Sequence, residues 1–388
     1  MIKLMKLAVV INSRANYGRI KSFLKHSKNY NSLEIKVIAG ASALLAKYGR
    51  VVDIIKEDGF EVAAELDSIV EGDEPIHMAK STGLGIIETA TAIKKLKPNA
   101  VLTIADRYET LATAVAASYM NIPVIHTQGG DQTGSIDESV RHAITKLSHI
   151  HFPASEKSKE RIIAMGEDPK FVFNVGCPSI DLIKECNLEY REGIFNNAKG
   201  IGNEIDFSKP YVVVLMHPVT TKSEETANTI NELLKAIIKI GNRNIQIVWL
   251  WPNIDSGAEI VSKAIRTSKD LYSLKNLHLY KNFPPDQYLV LIKNCKCLIG
   301  NSSSGLREGS FLGTPVVNIG TRQQFRESAS NVINVNHDSK EIFENVITQI
   351  NHGPYPSSKH LGNGNSGEKM CKILTEINLP SAQKKLYY

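Results

Sequence analysis

Two groups of residues have the types and spacing to do chemistry. The first is Gly300-Asn-Ser302-Ser303-Ser304-Gly305-Leu-Arg-Glu308, which follows the short apolar run at Cys297 and precedes a second one that starts at Pro315. A helix that opens on Ser302, Ser303, Ser304 and Gly305 aims backbone N–H groups, hydroxyls and its positive dipole end at an anion, which would make this turn a phosphate seat. Glu308, about one turn further on, cannot bind phosphate but can accept two hydrogen bonds from a ribose diol. Together they suggest a nucleoside diphosphate. A Ser N-cap in an ordinary α/β connection would use the same residues.

The second group is acidic. Ser135-Ile-Asp137-Glu138-Ser-Val-Arg141-His142 reads as a helix start with a capping box from Ser135 to Glu138. Asp137 and Arg141 are four apart on one face, as are Glu138 and His142. Alone, this is equally a capped, salt-bridged helix start. Asp106 and Asp131, placed on neighbouring strand ends, change the balance: carboxylates gathered in one cleft raise one another's pKa and suit general acid/base work.

These residues need elements to position them, and the chain supplies a regular alternation. Leu7–Ile11, Leu33–Ala39, Ala100–Ile104, Pro123–His126, His151–Pro153 and Phe171–Val175 read as strands, separated by amphipathic stretches such as Arg19–His26, Ala43–Asp58, Gly85–Leu96 and Tyr108–Tyr119. That pattern predicts a mainly parallel, doubly wound α/β sheet. Lys184–Lys209 is polar and poorly periodic, after which Tyr211–Met216, Ile245–Trp251, Leu277–Tyr280, Cys297–Gly300 and Pro315–Ile319 restart the alternation. Two domains follow, 1–180 and 181–365. Just past strands lie Arg14, Asp106, Gln128, Asp131, His217, Asn253 and Asp255, where open α/β sheets place their ligands.

Composition bounds the function. A chain of 388 residues, 42% hydrophobic and 22% charged, is that of a two-domain globular protein. The net charge of +6 comes without basic blocks interleaved with aromatics, so no nucleic-acid partner is expected. The apolar run after Lys6 is too short for a signal peptide, and no stretch nears the roughly 18 apolar residues of a membrane span. Five cysteines without zinc spacing read as core thiols in a reducing cytoplasm. Neither GxGxxG after the first strand nor GxxxxGK[ST] occurs, which argues against dinucleotide and NTPase folds.

Asp106-Arg-Tyr-Glu, His126-Thr-Gln-Gly-Gly-Asp131, Gly134 to Lys146, His217-Pro-Val-Thr-Thr221, Pro252-Asn-Ile-Asp-Ser-Gly257 and Gly300 to Glu308 together resemble the hydrolysing UDP-N-acetylglucosamine 2-epimerases. The resemblance runs in order from about residue 4 to about 330. It implies two Rossmann-like domains in a GT-B-like arrangement with an interdomain active-site cleft, and a last helix, about 366–388, that packs on the first domain. It further implies a UDP-sugar substrate, no NAD and no tightly bound metal, a cytoplasmic setting, and a homo-oligomer, dimer or tetramer. Asp106, Asp137 and the position of Gln128 are implied as the acid/base set, with Arg141 and His126 positioning them. Arg14, His217, Asn253, Asp255, Phe283, Ser302, Ser303, Ser304, Gly305, Glu308 and Arg322 are implied on the substrate and UDP side.

The implied reaction eliminates UDP from carbon 1 with loss of the carbon-2 proton, then hydrates the glycal to release free N-acetylmannosamine. Three departures from the family stand out. Gln128 occupies a position where the family often has Glu, with Asp131 as a candidate displaced carboxylate; Asn16 replaces the Asp of Arg-Ala-Asp-Tyr; and Gly40–Gly49 lacks a His-containing turn. A sister class that acts on UDP-2,4-diacetamido-2,4,6-trideoxyglucose is the alternative substrate reading. A GT-B glycosyltransferase, a non-hydrolysing epimerase and a silent UDP-sugar binder share the fold and differ in their products.

Overall fold

A strand whose two faces are both apolar can only sit in a sheet covered on both sides. The computed structural model contains two such sheets and describes residues 4–72, 74–134, 136–196, 198–218, 223–251, 258–281 and 283–387. The chain divides into two Rossmann-like units. Met1–Asp131, Asp137–Lys184 and His360–Tyr388 form the first, and Gln132–Ile136 with Glu185–Lys359 form the second.

The first unit carries β1 (Met5–Ile11), β2 (Leu33–Gly40), β3 (Val62–Leu66), β4 (Ala100–Ile104), β5 (Val124–Thr127) and β6 (Ile150–Phe152), all parallel, in the order β3-β2-β1-β4-β5-β6. Leu7, Val9 and Ile11 enter one core and Ala8 and Val10 the other, as the two-residue period of a strand requires. The order reverses between β1 and β4. Connections then leave in opposite directions, which opens a crevice at the carboxyl ends of these strands.

The second unit carries β7 (Gly200–Gly202), β8 (Tyr211–Leu215), β9 (Gln246–Leu250), β10 (Leu277–Tyr280), β11 (Cys297–Gly300), β12 (Val316–Ile319) and β13 (Val332–Val335), ordered β13-β12-β11-β8-β9-β10-β7. Only β7 runs antiparallel to its neighbour. Here the reversal falls between β8 and β11. Val212, Val214, Trp249, Ile299 and Val317 make its core. Among the described residues, no helix is long and apolar enough to cross a membrane.

Two expected elements come out differently. Phe171–Val175 is not a strand: Asp168 caps the Lys170 amide, Pro169 starts a 3-10 turn, and Val172 makes one isolated bridge to His151. The helix expected over Ala43–Asp58 is broken into 3-10 turns at Ala41–Leu44 and Ala46–Tyr48 and a helix at Val51–Glu57, because Gly49 and Arg50 adopt left-handed φ values of +87° and +39°. Ser135, the expected cap of the acidic helix, lies outside the described residues.

The closing helix, Ser366–Glu376, belongs to the first unit, where Met370, Cys371 and Leu374 share a core with Phe23 and Leu24. Gly367 permits the approach, since a Cβ there would stand 2.5 Å from the Ser22 carbonyl carbon. Asn365 gives this helix no side-chain cap. Asp181 caps it from a distance: its carboxylate accepts from the amides of Ser366 at 3.0 Å and Gly367 at 2.8 Å and from Ser22 Oγ at 2.7 Å. Replacing Asp181 with Ala strands these buried donors and is expected to lower unfolding free energy by about 2–4 kcal/mol. Denaturant titration, with hydrogen exchange localising the loss to Ser366–Glu376, checks it.

Candidate active site

At the carboxyl ends of β4 and β5 the main chain turns through left-handed residues that are not glycine, Ala105 at φ +64° and Gln128 at φ +62°. Such backbone costs about 1–2 kcal/mol per residue. Hydrogen bonds hold it in place: Ala105 N–H donates to Thr127 O at 3.1 Å, Gln128 N–H to Phe152 O at 2.9 Å, and His126 Nε2–H to Ala105 O at 2.8 Å. The first of these turns delivers Asp106 toward the helix Asp137–Leu147.

Arg141 on that helix is 0% exposed. Its Nε donates to Asp106 Oδ2 at 3.0 Å, Nη2 reaches the same oxygen, and Nη1 donates to Asp131 O at 2.7 Å. Burial opposes its charge, but Asp106, Asp131 and Asp137 outweigh that and raise its pKa above the ordinary value. The buried cation thus binds the Asp106 carboxylate and the Asp131 main chain, and Asp137 stands four residues before it on the same helix. Glu138 and His142 pair separately at 3.6 Å.

His126 is wholly enclosed, and burial pushes its imidazole down to about 3, so it is neutral at working pH. Its Nε2–H holds the Ala105 turn while Nδ1 accepts from Thr145 Oγ1 at 3.2 Å. The Gln128 amide donates to Cys177 Sγ at 3.5 Å, and Asp131 Oδ1 accepts from Ser158 Oγ at 2.9 Å. After β1, Arg14 opens the helix Arg14–Gly18. Asn16 in that turn accepts from Asn12 N–H at 3.1 Å and donates to Ile104 O at 3.3 Å. An aspartate could make the first bond but not the second, which explains the Asn in this chain.

In the second unit, Asn301 ties the ends of β8 and β11 together, accepting from His217 N–H and donating to His217 O, both at 2.8 Å. Arg322 Nη1 and Gln323 Nε2 donate to Asn301 O at 3.1 and 2.9 Å. The following Ser turn differs from the single helix expected. It forms two short helices, Ser303–Leu306 and Glu308–Leu312, broken at Arg307 with ψ −83°, so Glu308 begins the second helix and is not a turn into the first. Within the turn, Ser304 N–H donates to Ser302 Oγ at 3.3 Å and Gly305 N–H to Ser302 O at 3.2 Å. The Ser304 hydroxyl meets Tyr288 OH at 2.6 Å. Gly305 lets the turn lie on β12, where a Cβ would stand 2.9 Å from Val316 Cγ1.

Phe283 is 1% exposed, its ring packed on Phe195 and Tyr280. Asn253 and Asp255 lie outside the described residues. Thr145, Ser158, Cys177, Tyr288 and Gln323 are supporting residues that sequence reasoning missed; Thr145 lies within the Gly134 to Lys146 motif without being singled out, and the other four stand in no motif that would flag them. Among the described residues, no three or more His, Cys, Asp or Glu side chains are grouped to hold a metal. The first unit's cluster suits proton transfer beside a fixed cation, and the second unit's turn offers hydroxyl donors for an anion.

The chain is 32% identical over 379 residues to the UDP-N,N'-diacetylbacillosamine 2-epimerase (hydrolyzing) of Legionella pneumophila, with 97% of each chain covered. It is 31% identical over 348 residues to the GDP/UDP-N,N'-diacetylbacillosamine 2-epimerase (hydrolyzing) of Campylobacter jejuni, covering 88% of this chain and 87% of the relative. In fold it is similar to the UDP-GlcNAc 2-epimerase of Methanocaldococcus jannaschii solved with UDP-GlcNAc and UDP, with a TM-score of 0.81 at 19% identity over 96% of this chain and 99% of that one. Residues 25–375 match the UDP-N-acetylglucosamine 2-epimerase family, and the chain belongs to it.

Proposed function

We propose that the protein is a hydrolysing 2-epimerase of a UDP-2-acetamido sugar, with UDP-2,4-diacetamido-2,4,6-trideoxyglucose, also called UDP-N,N'-diacetylbacillosamine, as substrate. Two relatives above 30% identity carry that substrate in their names, which reverses the order of substrates that the motifs imply. UDP-N-acetylglucosamine is the second reading, favoured by the family description. The chemistry rests on one observation, the buried Arg141 guanidinium bonded to the Asp106 carboxylate and the Asp131 main chain on the helix that begins with Asp137.

Carbon 2 of the sugar carries an unactivated proton. A carboxylate takes it as the bond from carbon 1 to oxygen breaks, UDP leaves with the electron pair, and a glycal forms. Water then adds its hydroxyl to carbon 1, and a proton arrives at carbon 2 from the opposite face, so the free sugar is inverted there. Asp106 is the counter-ion of Arg141 and orients it; Asp131 is bonded to Ser158; Asp137, part-exposed in the first helical turn, is assigned the carbon-2 proton. Gln128 has no accessible pKa near neutrality and is assigned to orient the substrate. Arg14, His217 and the Ser302–Ser304 hydroxyls are assigned to the diphosphate, where donors stabilise the charge of the leaving group. Glu308 is assigned to the ribose.

Three outcomes are expected. In deuterium oxide, each substrate turned over yields UDP and free 2-epimerised sugar in equal amounts, with deuterium at carbon 2 by NMR. Product with its original carbon-2 proton would exclude the elimination, and running both UDP-sugars side by side decides the substrate. Asp137→Asn should lower kcat by about 10²–10⁴-fold while calorimetry shows UDP affinity retained. Glu308→Ala should raise KM and weaken UDP binding by about 1.5–3 kcal/mol with kcat preserved at saturation.

A further inference from the structure

Beyond the closing helix the chain runs without regular structure along the first unit and is pinned at three points. His149 Nε2–H donates to Ala382 O at 3.1 Å, Tyr387 N–H donates to Gly166 O at 3.1 Å, and between them Lys384 turns inward. The Lys384 ammonium donates to the main-chain oxygens of Thr145 at 3.2 Å, Lys146 at 2.8 Å and Ser148 at 2.5 Å, and meets Glu167 Oε2 at 2.5 Å. Thr145 and Lys146 contribute carbonyls of the helix's last turn and Ser148 lies just past its end; such carbonyls have no partner within the helix and carry the negative end of its dipole, which a cation complements. The helix closed in this way is Asp137–Leu147, whose other end carries Asp137 and Arg141.

The cap is held in turn. Glu167 also accepts from Lys146 Nζ at 2.7 Å and from His151 Nε2 at 3.0 Å. Burial raises its carboxyl, but the bonds from His151, Lys146 and Lys384 outweigh that and bring it down to about 2. His151 lies beside His126 in the β5–β6 ladder, and Thr145, whose carbonyl Lys384 caps, bonds the His126 imidazole through its side chain. Arg141 stands one helical turn before Thr145.

We infer that Lys384 is a positioning residue for the proton chemistry of the first unit: by capping the C-terminal end of the Asp137–Leu147 helix, it fixes the helix along its axis and so sets the Arg141 guanidinium, Asp137 and the His126 ring. The inference rests on the assignment of this helix to the reaction. A displacement of about 1 Å in such a group is enough to cost about 10²-fold in rate. Lys146, the helix's own basic residue in its last turn, is spent on Met165 O and Glu167 and does not cap these carbonyls.

The test compares Lys384→Met and Lys384→Arg in the full chain. The Met variant is expected to lose about 10- to 100-fold in kcat at saturating UDP-sugar, to hold UDP with unchanged affinity by calorimetry, and to shift the ring signals of ¹⁵N-labelled His126 in ligand-free protein. The Arg variant should restore both kcat and the His126 signals. Should the Met variant fail to fold, Lys384→Gln, which keeps two donors without the charge, is expected to show the same two losses. A variant that melts lower yet keeps wild-type kcat and unshifted His126 signals would overturn the inference and leave the tail a structural strap. Wild-type protein inert on both UDP-sugars would sink the proposed reaction instead, and the His126 signals would still report whether Lys384 sets the helix.

Discussion

A guanidinium without solvent contact has to be matched where it lies, because an unpaired charge in the interior costs several kcal/mol. Arg141 imposes that demand on the first unit. Its rigid fork spends two nitrogens on the Asp106 carboxylate and one on the Asp131 carbonyl, which fixes the ends of β4 and β5 relative to the helix that carries it. The left-handed turns at Ala105 and Gln128 persist under that constraint. The two turns have their own supports, main-chain bonds to Thr127 and Phe152 and the His126 imidazole, so strained backbone and ion pair meet at the same strand ends.

The second unit ties its strand ends through a carboxamide in place of an ion pair. A single carboxamide, Asn301, makes a two-way bridge to the His217 main chain and leaves its own carbonyl to Arg322 and Gln323. The Ser turn beside it is held by hydroxyls that rotate to suit their partners. Under the proposed function this contrast has a purpose: a seat for a diphosphate gains from donors without a permanent counter-anion, whereas proton transfer gains from carboxylates held at fixed distance from a cation.

Strands with apolar residues on both faces, such as Leu277–Tyr280 and Cys297–Gly300, are legible in the sequence to the residue, and so is the Ala-rich helix Tyr108–Tyr119. Val62–Leu66 is not, because Ala-Ala-Glu in a short edge strand lacks the usual branched pattern. Phe171–Val175 misleads in the other direction: its alternation is strand-like, and the turn chemistry of Asp168 and Pro169 prevails. At the candidate site, residue types, strand-end positions and the local Glu138–His142 pair can be read, but the long-range contacts cannot. That Arg141 is wholly buried, that Asn16 bridges two strands, and that Lys384 meets Thr145 across 239 positions are products of tertiary packing.

The seat of the closing helix also orders events on the ribosome. Glu185–Lys359 supplies nearly all of the second unit as one continuous stretch, so its sheet is complete while the helix that covers Phe23 and Leu24 has yet to emerge. Folding during synthesis then runs against chain order, with the unit that starts first finishing last. A nascent chain paused before Met370 would hold the helix Lys21–Ser27 with Phe23 and Leu24 still uncovered, and transiently exposed apolar surface of this kind is prone to aggregate.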